Sequence, residues 1–294
     1  MTSVFWLWPT PGPKPLLLLL LILLLILVTS VAATKTITSK SMSKKTLAAA
    51  AGLFLALASV KAEPAMWVIK DADSTIYLIG TLHLLKRDAE WNAEKVKKAV
   101  HESTELWLET TDFDNQDAME PLVAKFGLDP EHPLSTKLND EQKKKLEKLT
   151  STYGIDPGKL EPLRPWLAGV VLAMSPIQKA GYDPKAGVER VLAAQATEEG
   201  DKIRGFETAE EQIHLLADLS DEEQLQFFVG TLDDLEKGIE FLDRLAKAWI
   251  DGDVDTIERL SIAEIKAQAP TIYDKLIVRR NKAWAEKIEQ MLKG

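Results

Sequence analysis

The chain has 294 residues, 46% of them hydrophobic and 28% charged, which is the content of a folded globular protein of one or two domains with a sizeable core. A formal net charge of -9 argues against duplex binding, which needs a surplus of clustered Lys and Arg, so no nucleic acid partner is expected. The absence of cysteine excludes disulfides, thiolate metal sites and a cysteine nucleophile, and leaves His and carboxylates to hold any metal.

Two apolar runs come first. Residues 16–28, continuing weakly to 33, are nearly all Leu and Ile; with no polar face and close to the roughly 20 residues of a bilayer span, they are a candidate transmembrane helix within an N-terminal extension of residues 1–41. The second run begins at Met42 with Lys44 and Lys45, is apolar over residues 47–60, and ends Val60-Lys61-Ala62 before Glu63. A basic start, a short apolar middle and small residues three and one before the cut make residues 42–62 a signal peptide in pattern. Met42 is then the expected natural start and residues 1–41 an over-extension. If Met1 is the start, Lys35, Lys40, Lys44 and Lys45 fall in a cytoplasmic loop between two apolar segments, and the second still sends the domain outward. Both readings export residues 63–294, to the periplasm or to a membrane anchor through the uncleaved apolar segment.

Within that domain, Thr75-Ile76-Tyr77-Leu78-Ile79-Gly80 reads as a buried strand ending in Gly80-Thr81-Leu82-His83. Ala93, Val96, Ala99 and Val100 recur at helical spacing, and Leu106-Trp107-Leu108-Glu109 reads as the next strand. This βαβ unit predicts parallel strands whose carboxyl ends share one sheet edge, bringing His83 and Glu109 to one crevice. Residues 112–165 read as loosely packed helices and connections, the run from Lys143 to Lys148 being a solvated helix face. A helix over 165–174, a turn through Gly181, Asp183 and Pro184, and a helix over 187–199 follow. Residues 202–206 form a third strand closed by Glu207, which repeats the strand-end position of His83 and Glu109, and Thr208 with Glu211 makes a capping box. Ser220 and Glu223 cap one long helix carrying Leu225, Phe228, Leu232, Leu235, Ile239, Leu242, Leu245 and Trp249, a stripe for the core or a helix partner that stops at Gly252. A short helix from Asp253 leads to Pro270, and a last helix runs to Leu292 with Ile272, Leu276, Ile277, Trp284 and Ile288 on its apolar side. There is no internal repeat. The expected class is α/β (α+β): a small, mostly parallel sheet of βαβ units among many helices, with a helical C-terminal part and an oligomeric state left open.

Several phrases in this order resemble the TraB/PrgY/GumN family, which is related to the TIKI proteases and more distantly to erythromycin esterase and the haem-binding ChaN proteins. They are Trp67-Val68-Ile69, Gly80-Thr81-Leu82-His83, Leu106-Trp107-Leu108-Glu109, Gly187-Val188-Glu189, Gly205-Phe206-Glu207-Thr208 with Glu211-Gln212, Ala248-Trp249 to Gly252-Asp253, and Arg280-Asn281 with Trp284 and Ile288. The resemblance covers nearly all of the exported domain and implies a bacterial divalent-metal hydrolytic site made of two Gly-x-x-His motifs and an acidic residue. His83 matches the first motif and Glu109 the acidic position. The second motif would lie on a strand after the Arg280-Asn281 helix, where the sequence stops at Gly294, so a truncated site that takes up divalent metal weakly or not at all is expected.

A catalytic divalent ion, here Mn, Zn or Co, takes three protein ligands and keeps a position for water; His83 and Glu109 supply two. Glu207 is open to three roles, as third ligand, as general base or as orienting partner of His83, against a purely structural one at the start of the next helix. Glu189, near a helix start, is a candidate substrate-binding residue or a dipole-stabilising carboxylate. Arg280 suits a substrate carboxylate, an active-site Glu or a structural salt bridge. Asn281 is a poor interior helix residue, so its side chain is a candidate for substrate binding. His101, His132 and His214 read as packing or surface residues and the tryptophans as core. No Gly-x-Ser-x-Gly elbow is present. The two functions in view are a metal-dependent, protease-like hydrolase and a non-catalytic binder of a peptide, small signal molecule or haem.

Overall fold

The computed structural model describes residues 29–35, 63–111 and 116–293. The apolar runs over 16–28 and 47–60 and the cut after Ala62 lie outside these residues. No helix among the described residues is long and apolar enough to cross a membrane.

Among the described residues seven strands appear in chain order: β1 (Thr29–Lys35), β2 (Met66–Lys70), β3 (Ser74–Gly80), β4 (Leu85–Lys86), β5 (Glu105–Leu108), β6 (Tyr182–Asp183) and β7 (Lys202–Gly205). Five of them make one sheet in the order β2-β3-β1-β5-β7, and β4 pairs with β6 separately. The sheet is mixed, which corrects the mostly parallel arrangement expected from sequence. β5 and β7 pair in parallel, while β2·β3, β3·β1 and β1·β5 are antiparallel. One cause is the turn between β2 and β3, where Asp71 Oδ1 accepts from the backbone N–H of Asp73 and Ser74; so short a connection joins only antiparallel strands. β1 stands between the two strands expected to be neighbours. Being antiparallel to both, it leaves β3 and β5 running the same way, so β3, β5 and β7 all finish at one edge.

The helices are α1 (Glu94–His101), α2 (Gln116–Gly127), α3 (Asp140–Tyr153), α4 (Pro165–Lys179), α5 (Val188–Glu199), α6 (Ala209–Ala217), α7 (Asp221–Lys237), α8 (Glu240–Ile250), α9 (Val254–Ile257), α10 (Ala263–Gln268), α11 (Pro270–Tyr273) and α12 (Arg279–Leu292). The single long helix expected after Ser220 is two, α7 and α8. Gly238 between them has φ 94°, a backbone conformation that ends a helix and that glycine adopts without a Cβ penalty. The stripe itself is intramolecular core: Phe228, Leu232, Leu235, Leu242, Leu245 and Trp249 are all buried. Lys145 and Lys148 of the solvated run reach Asp233 and Glu236 on α7.

The period-two alternation of the strands divides the core between the sheet's faces. Ile79, Leu106 and Leu108 join the main helical core. Ile76 and Phe206, with Leu78 and Trp107 packed on them, meet Trp284 and Ile288 of α12 on the other face. Trp91, Trp166, Trp249 and Trp284 are buried as expected, whereas Trp67 on the edge strand β2 is 50% exposed.

Candidate functional site

The chain leaves β3 under tight control. Trp249 Nε1 donates to the carbonyl of Gly80 at 2.8 Å, and Thr81 and Leu82 are buried. The N–H of Val188, first residue of α5, donates to the Leu82 carbonyl at 2.9 Å. Just before it, Gly187 lies so close that a Cβ there would sit 2.3 Å from the backbone oxygen of His83, so glycine is required for α5 to start against this strand end. The consequence is a fixed imidazole: Glu189 Oε1 lies 2.8 Å from His83 Nδ1 and also accepts from the Thr81 hydroxyl. With Nδ1 donating toward Glu189, Nε2 is the nitrogen left to face the Glu109 side.

Glu109 and Glu207 follow directly from the parallel pair β5·β7. The ladder continues past the strands, Phe206 N–H donating to Leu108 and Glu207 N–H to the Glu109 carbonyl at 2.7 Å, which sets both side chains at the same edge. Arg280 of α12 joins them. Its Nε donates to Glu207 Oε1 at 2.8 Å and its Nη2 to Glu207 Oε2 at 2.6 Å and Glu109 Oε2 at 2.9 Å. Trp284 Nε1 donates to Glu207 Oε1 at 3.0 Å, and Gln212 Nε2 to Glu109 Oε2 at 2.8 Å. Glu109 Oε1, by contrast, is buried with no hydrogen-bond partner among the described residues, and it faces His83 Nε2 at 4.0 Å.

The electrostatics follow this division. Burial pushes the Glu109 carboxyl up to about 7, although the charges of Arg280 and His83 pull the other way. Burial also penalises the Glu189 anion, but the charge and hydrogen bond of His83, with the Thr81 hydroxyl, more than offset it and hold that carboxyl below the usual range. The guanidinium of Arg280, desolvated yet clasped by two carboxylates, is held more firmly protonated than usual.

The His83–Glu109 gap opens on a cavity of about 390 Å³. Trp166, Val170 and Met174, four apart along α4, make one wall, and Ile213 and Leu216 of α6 another; His83, Glu109, Glu189 and Gln212 are its polar side.

Five sequence-predicted residues therefore meet in a chain of contacts, Glu189 to His83, His83 to Glu109, and Glu109 through Arg280 to Glu207. Glu207 has both oxygens on Arg280 and Trp284 and acts on Glu109 through the arginine. Glu189 lines the cavity but its hydrogen bonds go to His83 and Thr81. Asn281 is exposed on α12 and is not among the cavity-lining residues. His101, His132 and His214 are surface or peripheral residues paired with Glu199, Asp129 and Asp218. Sequence reasoning missed Gln212 and Trp284 as donors to the carboxylates and Thr81 as donor to Glu189, although all three stand inside the phrases that carry the family resemblance.

For a divalent ion the donor set fits in part. A buried carboxylate oxygen lacking a donor, opposite a histidine whose other nitrogen is held by a carboxylate, is the arrangement that metal ligands commonly have. No three His, Asp or Glu side chains among the described residues converge as a metal-binding group; His83 and Glu109 are a facing pair and not a complete ligand set.

The sequence profile of the TraB/PrgY/gumN family matches residues 65–294. The uncharacterized protein YbaP of Escherichia coli (strain K12) is 23% identical over 237 residues, which is 79% of this chain and 84% of YbaP. YbaP of Shigella flexneri matches with the same identity and coverage. No solved structure gives a significant match.

Proposed function

The chain belongs to the TraB/PrgY/gumN family, and on that premise we propose that it is an exported, metal-dependent hydrolase-type protein whose working pair is His83 and Glu109. The observation that carries this reading is the bare, buried Glu109 Oε1 at 4.0 Å from His83 Nε2. A divalent ion held there would supply Lewis acidity and a water acidic enough to ionise near neutral pH. The chain's own residues do the positioning. Glu189 keeps the proton on Nδ1 and so turns Nε2 toward the gap; Arg280 and Gln212 fix Oε2 and so leave Oε1 for the reacting side. Glu207 holds Arg280 in place. The apolar walls exclude water and bind the non-reacting part of a peptide or small-molecule substrate. Export rests on the signal-like pattern of residues 42–62.

The test is calorimetric titration of the full chain with Mn, Zn and Co, alongside turnover of peptide and ester substrates. With two protein ligands the expected uptake is weak, and it should disappear in His83→Ala and Glu109→Gln together with any turnover. Uptake equal in all three chains, with no hydrolysis, would remove this reading. The largely apolar wall and the absence of a third ligand among the described residues favour a second one: non-catalytic capture of a peptide, signal molecule or haem. It would show as ligand-induced stabilisation that a chelator leaves unchanged.

A further inference from the structure

The lining of the cavity beside the His83–Glu109 gap narrows the kind of non-reacting group that the hydrolytic reading places there. Most of its apolar lining is the helix side chains of Met119, Trp166, Val170, Met174, Ile213 and Leu216 on α2, α4 and α6, to which Leu84 and Pro184 add from outside those helices. The backbone of those helices is hydrogen-bonded within itself, so these walls offer no main-chain donors and acceptors of the kind an extended peptide pairs with. At about 390 Å³ the space lies near the lower end of the roughly 300–1,000 Å³ of small-molecule sites, enough for one apolar group. Two of the six are methionines, unbranched side chains that adapt to a flexible occupant.

The polar groups gather on one side of this space. Against the carboxylates of Glu109 and Glu189, the lining sets Arg190 alone as a permanent cation, so an anionic head is not favoured there. A neutral amide or ester is, because Gln212 and His83 offer hydrogen-bonding groups that suit an uncharged carbonyl function.

We propose that the cavity is a subsite for a single flexible alkyl or acyl chain, which places a neutral amide or ester head at the His83–Glu109 gap. This rests on the proposed function for the identity of the reacting end, but binding of the chain does not require turnover.

The experiment is a titration of the full chain with the unbranched primary amides from butanamide to dodecanamide, each below its aggregation limit, following tryptophan fluorescence and heat. Affinity should rise roughly fourfold per added methylene, the fold-change that corresponds to burying one CH₂ at about 0.8 kcal/mol, and should level off once the chain fills the cavity. Val170→Trp, which occupies the space, should abolish the chain-length dependence. Val170→Leu, a one-carbon intrusion at a half-buried site that folding tolerates more readily, should move the plateau to shorter chains. His83→Ala should keep the dependence. An affinity flat along the series overturns the proposal, and so does a rise that neither Val170 variant alters, since the amides would then be binding elsewhere. Failure of metal uptake or of hydrolysis strikes the proposed function and leaves this result standing, because the amide series reads binding in the absence of chemistry.

Discussion

The two ends of the strand-edge cluster use the same kinds of side chain and are finished differently. At the β7 end, Glu207 has both oxygens bonded, to Arg280 and Trp284, and the cluster is closed. At the β3 end, His83 is held through Nδ1 by Glu189, and its Nε2 faces a carboxylate oxygen that no donor among the described residues satisfies. Glu109 belongs to both ends: Oε2 takes two hydrogen bonds from the closed side and Oε1 takes none. A buried group left half-paired costs free energy, so it persists where the surrounding structure over-determines it. The closed end therefore acts as the clamp for the open one.

Removing the clamp should have the largest effect. Arg280→Met leaves Glu109 and Glu207 buried without their shared cation, and should destabilise the fold by roughly 3–5 kcal/mol in urea or guanidinium unfolding. Arg280→Lys, which keeps the charge but not the fork, should recover part of this. A loss under about 1 kcal/mol for the Met variant would mean that the closed end is not what holds Glu109.

The bare oxygen gives the comparison a pH signature. With its carboxyl at about 7 in the fold and about 4.3 when unfolded, Glu109 carries the same proton in both states below the lower value. Between the two values the folded chain keeps a proton that the unfolded chain has released, so the contribution of Glu109 to stability falls as pH rises. Above about 7 the penalty is complete. In a metal-free buffer the parent chain should lose stability relative to Glu109→Gln at about 1.4 kcal/mol per pH unit within that window. A relative stability that instead rises with pH would show that Arg280 wins over burial and that Glu109 stays ionised.

How far the sequence foretold this can be traced residue by residue. The strand ends at His83, Glu109 and Glu207 were legible because a strand followed by a helix leaves its last side chains at the sheet edge, and the capping box at Thr208 marks that boundary sharply; both halves of it form. The same-edge placement held although the sheet is mixed, because it depends on strand direction and not on which strands touch. The break at Gly238 was hidden by an apolar stripe that runs through it, since periodicity records which face is buried but not a single residue's φ. The partners of Glu207 and Glu109 were hidden for another reason. Trp284 and Gln212 lie 77 and 103 positions away from the carboxylates they bond, and an indole in an apolar stripe reads as core until its N–H is placed.

A smaller effect should come from the other end. Gly187→Ala would put a methyl group where the His83 carbonyl stands, and neither the strand end nor the α5 start can yield without disturbing the Val188–Leu82 hydrogen bond. The expected cost is about 1–3 kcal/mol, the usual range for forcing extra volume into a packed site. The diagnostic readout is the imidazole signal of His83 by NMR, which should shift as Glu189 moves away. Arg280→Lys, acting at the closed end, should move that signal less. Equal shifts from both variants would mean that the two ends are one rigid unit.

The smallest effect separates redundancy from necessity at the closed end. Trp284→Phe removes the donor at 3.0 Å from Glu207 Oε1 but leaves Arg280 Nε on the same oxygen at 2.8 Å. The ring remains to stack on Phe206, 5.4 Å away between centroids. Because neither Glu207 oxygen is left bare, the loss should be about 1.5 kcal/mol, that of one hydrogen bond to a charged group at the low end of its range. The pH dependence of the Glu109 contribution should be unchanged, since Glu109 keeps both of its own donors. If Trp284→Phe instead reproduces the Arg280→Met loss, the indole and not the guanidinium fixes Glu207, and the clamp on Glu109 begins one residue farther out.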